Sequence, residues 1–349
     1  MENQGIVKKR IYLFDNIKAI LIFLVVFFHL FELIRNENLF NKSLYFFVYA
    51  FHMPLFIFVS GYFYNRKKTF KNIEKYLLLY ILFQVLYIFY LDFIIVKVGE
   101  VDFYNLILIK PIWILWYLMS LCFYSFISYF IDIKNKKTVL ISFIISIALA
   151  IAVGYVQKIG KDFSMSRNFV FYPYFLLGYY VRQNCDVIEF RNSFFKKERI
   201  MKKALVFLAS LAVIACYIAF LHLNVWDLKP EVVFNNKSYA LSGSNPVLRL
   251  LLYLPALSMI FFNVLLIPNK EYKFITNIGT NTLYIFLFHG FIKYLWEMNG
   301  ETIHSIPNVF LKYGLIFITS ILIISGISLI VGVAKFIKKR VKKEGIVWN

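Results

Sequence analysis

The chain has 349 residues, of which 60% are hydrophobic and 20% aromatic, and its mean hydropathy is +0.68. Only 17% are charged, yet the formal net charge is +20. A soluble domain carries roughly 25% charged residues, and a chain this apolar cannot hide its surface in one water-soluble core; an ordinary soluble enzyme is excluded and an integral membrane protein is indicated.

About ten apolar segments follow one another, each near the ~20 residues that a span requires. They predict crossings at 11–31, 43–64, 76–96, 105–130, 138–156, 168–182, 204–223, 247–267, 274–296 and 307–334. The sixth is short and carries Pro173, so a tilted, broken or partly re-entrant span is expected there. The fold class is therefore all-α, a polytopic bundle forming a single domain over 1–349, with negligible strand because lipid leaves backbone groups to be satisfied inside helices. Asp15 and Lys18 interrupt the first apolar run and no small-residue cleavage site follows it, which argues against a cleavable signal. Cys122, Cys185 and Cys216 form no CxxC pair and suggest neither a metal site nor a disulfide framework.

Lys and Arg alternate from loop to loop. With Lys8, Lys9 and Arg10 in the cytoplasm, the same side receives Arg66, Lys67, Lys68, Lys71 and Lys75, then Lys134 to Lys137, Arg182 to Lys203, Lys270 with Lys273, and the tail from Lys335. That distribution predicts both termini inside and a multi-pass protein of the plasma membrane. It also accounts for the basic excess through the bilayer and its anionic head groups, with no nucleic acid partner. The longest opposite connection, 224–246, is rich in Asn, Ser, Gly and Pro and reads as an exposed loop able to cover a site.

Polar residues inside the spans carry the chemistry. Lys18 and His29 are eleven residues apart, about 20° past three full turns, so they share a helix face and lie roughly 16 Å apart along the axis. Asp15, three residues before Lys18, is placed to pair with it. The plain alternative is that Asp15 and Lys18 reach the basic-side interface and His29 ends the helix. His52 in the second span and His289 in the ninth fall at a depth similar to that of His29. Ionisable groups at such depth face a bundle interior or a wet cavity, and three at one level point to a shared one. Their spacing contains no ligand signature such as HExxH, so no metal is expected. Gly61 and Gly178 are read as points of close helix approach. Trp113 and Trp116, with Tyr117, are placed within the fourth span on either side of its middle and read as packing.

Several segments carry a family resemblance: Lys18-x10-His29, "FHMPLFIFVSGYF" (Phe51 to Phe63), "PIWILWYLMSL" (Pro111 to Leu121), "SRNFVFYPYFLLGYYVR" (Ser166 to Arg182) and "NTLYIFLFHGF" (Asn281 to Phe291). In this order they resemble the membrane-bound acyltransferase-3 family, in its fucose 4-O-acetylase-like branch. Arginine is the commoner family residue where this chain has Lys18, and an ammonium keeps the charge but loses the bidentate fork. The resemblance implies acyl transfer, usually acetyl, from cytoplasmic acetyl-CoA to a hydroxyl of a cell-envelope glycan or its precursor. It implies His29 as the base, since a sugar hydroxyl needs one with a pKa near neutrality. His52 and His289 join it in the pocket. Asp15 and Lys18 hold the cytoplasmic end, and Lys18, Arg66, Lys67, Lys68, Lys71 and Lys75 meet the CoA phosphates as point charges. Arg167, at the outer entrance of the sixth span, binds the acceptor, polarises the thioester carbonyl or simply anchors the helix at the interface.

Two other classes compete with this reading. A polytopic transporter or flippase for a glycan or other polar substrate also needs polar groups at mid-membrane, but commonly shows repeated halves, which are not evident here. A sensor or partner-binding module has no need of histidines on three helices.

Overall fold

The computed structural model describes residues 10–95, 110–159, 162–196, 199–224 and 229–343. Those residues form helices and connecting turns, with no strand among them. Ten long helices stand where the ten apolar segments were expected: α1 (Tyr12–Phe31), α2 (Leu39–Tyr62), α3 (Thr69–Tyr90), α4 (Trp116–Tyr129), α5 (Lys136–Ala152), α6 (Met165–Asn184), α7 (Arg199–Asn224), α8 (Tyr253–Leu266), α9 (Lys273–Met298) and α10 (Val309–Lys343).

Seven of these regions are long and apolar enough by themselves to cross a membrane, namely those of α1, α2, α3, α5, α7, α8 and α10. The other three, α4, α6 and α9, are the shorter or more polar ones, and each supplies side chains to the cavity described below. α4 falls short by length alone, its region Trp113–Tyr129 being apolar.

α2 is the central helix, with most of its side chains buried, whereas α7 keeps few side chains inside. Large apolar groups such as Leu78, Leu140 and Leu329, each more than 60% exposed, face outward from α3, α5 and α10 as a lipid-facing surface requires. The closest helix pairs rest on glycine. A Cβ on Gly61 of α2 would collide with the backbone carbonyl of Phe175 on α6, and one on Gly178 of α6 with that of Phe58 on α2. The two glycines thus form a reciprocal contact, as small residues do where helices meet without a hydrophobic driving force. Gly279 of α9 meets the Asp15 carbonyl of α1 in the same way. Gly178→Leu is expected to cost at least the 1–3 kcal/mol typical of overpacking, because the obstacle is backbone, and to appear as a lower melting temperature of purified protein.

Three expectations change. α6 is one continuous helix despite Pro173, not a broken one. Trp113 and Trp116 stand at the start of α4, behind a 3-10 turn over Trp113–Leu115, rather than on either side of its middle. The first part of that expected span, 105–109, lies outside the described residues, as do Lys8 and Lys9. The described part of the 224–246 connection is not an exposed loop. It forms two short helices, Glu231–Phe234 and Tyr239–Ser242, with Val232, Val233, Ser238 and Ser242 buried; residues 225–228 lie outside the described residues.

On the same side of the bundle as this connection, Glu37 between α1 and α2 accepts from Lys312 Nζ at 2.7 Å and pairs with His304 Nδ1 at 2.9 Å. Burial raises the Glu37 carboxyl pKa, but the two hydrogen bonds outweigh it and the net shift is downward.

Candidate active site

The shared face of α1 opens into a different cavity at each end. His29, with Glu32 one turn further along, lines a chamber of about 240 Å³. Lys18 lines a second cavity of about 180 Å³. Asp15 lines neither. Its carboxylate is held by Arg10 at 2.7 Å and by Lys18 at 2.9 Å, and so fixes the Lys18 ammonium.

His29 is oriented from behind. Its Nδ1 lies 3.0 Å from His289 Nε2, and His289 Nδ1 lies 3.0 Å from the Ile285 carbonyl. A carbonyl only accepts, so His289 carries its proton on Nδ1 and presents Nε2 as an acceptor. Neutral His29 must then carry its proton on Nδ1 and donate it, which leaves a lone pair on Nε2. One backbone carbonyl thereby sets the tautomer of two rings, which lie parallel with centroids 5.2 Å apart.

α2 adds Tyr45, Tyr49 and His52, all lining the chamber and spaced i, i+4, i+7 on one face. His52 Nδ1 donates to the Val48 carbonyl at 2.7 Å, so its Nε2 is also unprotonated when neutral. The Tyr49 ring lies edge-on to His52 with centroids 4.8 Å apart. The expectation of one pocket therefore holds for His29 and His52, with His289 directly behind His29. Among the described residues no three His, Cys, Asp or Glu side chains group as a metal site.

Arg167, in the first turn of α6, lines the chamber. Its Nε donates to the Phe234 carbonyl at 3.0 Å, and its guanidinium lies 4.6 Å from the centre of the Trp116 ring. Ser166 donates to the next carbonyl, Asn235, at 2.7 Å. The first turn of α6 thus ties down the 229–246 connection, whose Val233, Phe234 and Asn236 close one side of the chamber. The terminal guanidinium nitrogens make no hydrogen bond to the described residues and are available to a ligand.

Backbone strain gathers around the same space. Trp113, Phe163, Ser164 and Asn235 are the described non-glycine residues with left-handed φ, and Trp113 and Ser164 line the chamber. Left-handed φ costs a bulky residue energy and persists where the surroundings over-determine it. At Trp113 they do. Gln84 grips the preceding segment, donating to the Lys110 carbonyl at 2.9 Å and accepting from the Ile112 amide at 3.0 Å. Gly290 leaves room for the indole, whose ring centre lies 4.4 Å from that of His29 and 4.6 Å from the Lys293 ammonium. Lys293 itself is buried and paired with Glu297 at 2.5 Å.

Of the cationic loop, Lys75 joins Lys18 at the second cavity. Arg66, Lys67, Lys68 and Lys71 are exposed and line neither cavity, with Arg66 resting against the Tyr129 ring. The sequence reading missed Glu32, Tyr45, Tyr49 and Lys293, although helical spacing from His29, His52 and His289 signals each of them. It also took Trp113 and Trp116 as packing, and no pattern in the sequence distinguished them from the many other aromatics.

A family model described as an acyltransferase domain, acyltransferase-3, matches residues 11–334. The chain belongs to the acyltransferase-3 family. No curated protein and no solved structure matches it. This acyltransferase is a multi-pass membrane protein whose matched region contains both cavities and every residue placed in them above.

Proposed function

We propose that this acyltransferase moves an acetyl group from acetyl-CoA, entering from the basic and cytoplasmic side of the plasma membrane, to a hydroxyl of a cell-envelope glycan or its precursor. The observation that carries the reading is the tautomer chain from Ile285 through His289 to His29, because it leaves a basic nitrogen on a residue that lines the chamber. An oriented neutral imidazole is what a weakly nucleophilic hydroxyl requires.

The donor is inferred from shape and charge. Cations line one cavity, and the base lies roughly 16 Å further along α1 by helix rise. A substrate that spans this distance has an anionic head and a long thin arm with its reactive group at the tip, which describes an acyl thioester of CoA. The wall between is mostly apolar, with Ser60, Tyr117 and Thr282 as hydrogen-bonding groups for the arm's amides.

The transfer balances as follows. The acceptor hydroxyl oxygen attacks the thioester carbonyl while its proton passes to His29 Nε2. Arg167 donates to the carbonyl oxygen as negative charge develops there. The tetrahedral intermediate collapses with cleavage of the C–S bond, and the His29 proton goes to the departing thiolate. The products are an O-acyl ester and free CoA thiol. Aromatic faces at Trp113, Trp116 and Tyr49 suit a sugar ring, and Glu32, ion-paired to Arg35 at 2.6 Å, offers carboxylate oxygens to its hydroxyls.

Purified protein in proteoliposomes is expected to bind CoA and cleave acetyl-CoA slowly in the absence of acceptor. Lys18→Ala should raise KM for the donor about tenfold and change kcat less, as loss of one phosphate-binding charge requires. A transporter would show neither CoA binding nor cleavage. Cells lacking the protein should lose ester-linked acetyl on extracted envelope polymers, and unchanged ester content would remove the glycan acceptor from the reading.

A further inference from the structure

The two cavities have two described residues in common, Met53 of α2 and Phe286 of α9. Each belongs to a stripe that runs through both spaces. On α2 the stripe passes from Tyr49 and His52 in the chamber, through Met53, to Phe56 and Ser60 in the cationic cavity. On α9 it passes from His289, behind the chamber, through Phe286 to Thr282. Ser60 and His52 are eight residues apart, roughly 12 Å along the axis, and Met53 and Phe286 stand where the two stripes cross that interval.

We propose that Met53 and Phe286 form the gate through which the donor arm reaches His29, with Met53 as the moving leaf and Phe286 as the fixed one. This rests on the acyl-CoA reading above and adds the element that controls access within it. The two leaves differ physically. Phe286 is braced on both sides, its ring centroid 5.2 Å from that of Tyr117 and 6.0 Å from that of His289. Methionine is unbranched with three rotatable bonds, so it can swing aside without disturbing the helix. With the leaf across, two spaces exist instead of one, and His29 is screened from water on the cationic side. With an arm inserted, the leaf is displaced and the thioester lies in the chamber. The gate therefore couples opening of the chamber to occupation by donor, and limits loss of donor to hydrolysis.

The test separates the head of the donor from its arm. Met53→Trp and Met53→Leu are compared with wild type in proteoliposomes, using three probes: adenosine 3′,5′-bisphosphate, which has the head and no arm; CoA; and acetyl-CoA. Met53→Trp should bind the bisphosphate as wild type does but bind CoA at least tenfold more weakly and cleave acetyl-CoA at least a hundredfold more slowly. Met53→Leu, of similar volume, should stay within about threefold of wild type on all three. Met53→Ala should hydrolyse acetyl-CoA faster than wild type when no acceptor is present. Equal acetyl-CoA cleavage by Met53→Trp and wild type overturns the gate while leaving the acyl-CoA reading intact. Parallel loss of bisphosphate and CoA binding in a Met53→Trp protein that melts as wild type does also overturns it, since residue 53 then acts on the donor head and not on its arm. Absence of CoA binding in wild type defeats the donor reading and the gate together.

Discussion

His29→Ala is expected to lower kcat for acyl transfer about 10³-fold, within the range that a positioned general base contributes, while the Kd for CoA changes by less than about threefold. The split follows from the proposed function: Lys18 and Lys75 line the cavity proposed for the CoA head, and His29 lines the chamber proposed for the reacting atoms. His289→Ala provides the internal control. It leaves the base in place but removes the ring whose Nε2 accepts the His29 proton, so the His29 tautomer is no longer set. Its loss in kcat should be smaller than that of His29→Ala, and the double variant should be no worse than His29→Ala alone, because residues acting as one unit are not additive. Thermal melting of each purified variant checks that the effect is chemical. Full transfer activity in folded His29→Ala would remove it as the base.

The second large effect concerns Arg167. Arg167→Ala should reduce kcat by about 10²–10³-fold, the range seen when one donor to a developing oxyanion is lost. Arg167→Lys tests the geometry. A lysine can keep the charge, but not together the Nε–H that donates to Phe234, the plane that lies over Trp116 and the two nitrogens aimed at a ligand. Arg167→Lys should therefore recover less than a tenth of the lost rate. Trp116→Phe, which keeps a ring under the guanidinium, should cost far less than Arg167→Ala. Were Arg167 only an interfacial anchor, lysine would substitute freely and steady-state kinetics of the two variants would coincide with wild type.

These residues also show how far the sequence reaches. Segment length and hydropathy placed the seven helices that are long and apolar enough to cross a membrane, because in lipid each helix satisfies its own backbone and its apolar exterior is written continuously along the chain. The polar stripe of α1 was equally legible. An eleven-residue spacing on a straight helix is a geometric statement, and the structure has Lys18 and His29 opening into separate cavities as that spacing allows. Gly61 and Gly178 were readable as points of approach, although which helix each meets was not.

What the sequence left open is what depends on contacts between helices. Arg167 and Trp116 lie on different helices, and their stacking, with the Phe234 carbonyl as third partner, arises only when α4, α6 and the 229–246 connection assemble. The left-handed backbone at Trp113 has no local cause; it is imposed by Gln84 and the space above Gly290. The amino-acid sequence by itself determined a helical membrane bundle and its polar stripes, because these are periodic properties of single helices. The tertiary structure alone decided that His289 stands behind His29, that Asp15 is taken up by Arg10 and Lys18, and that Met53 and Phe286 line both cavities. A hydrogen bond between residues 260 positions apart has no signature along the chain, and forms only once packing fixes both rings.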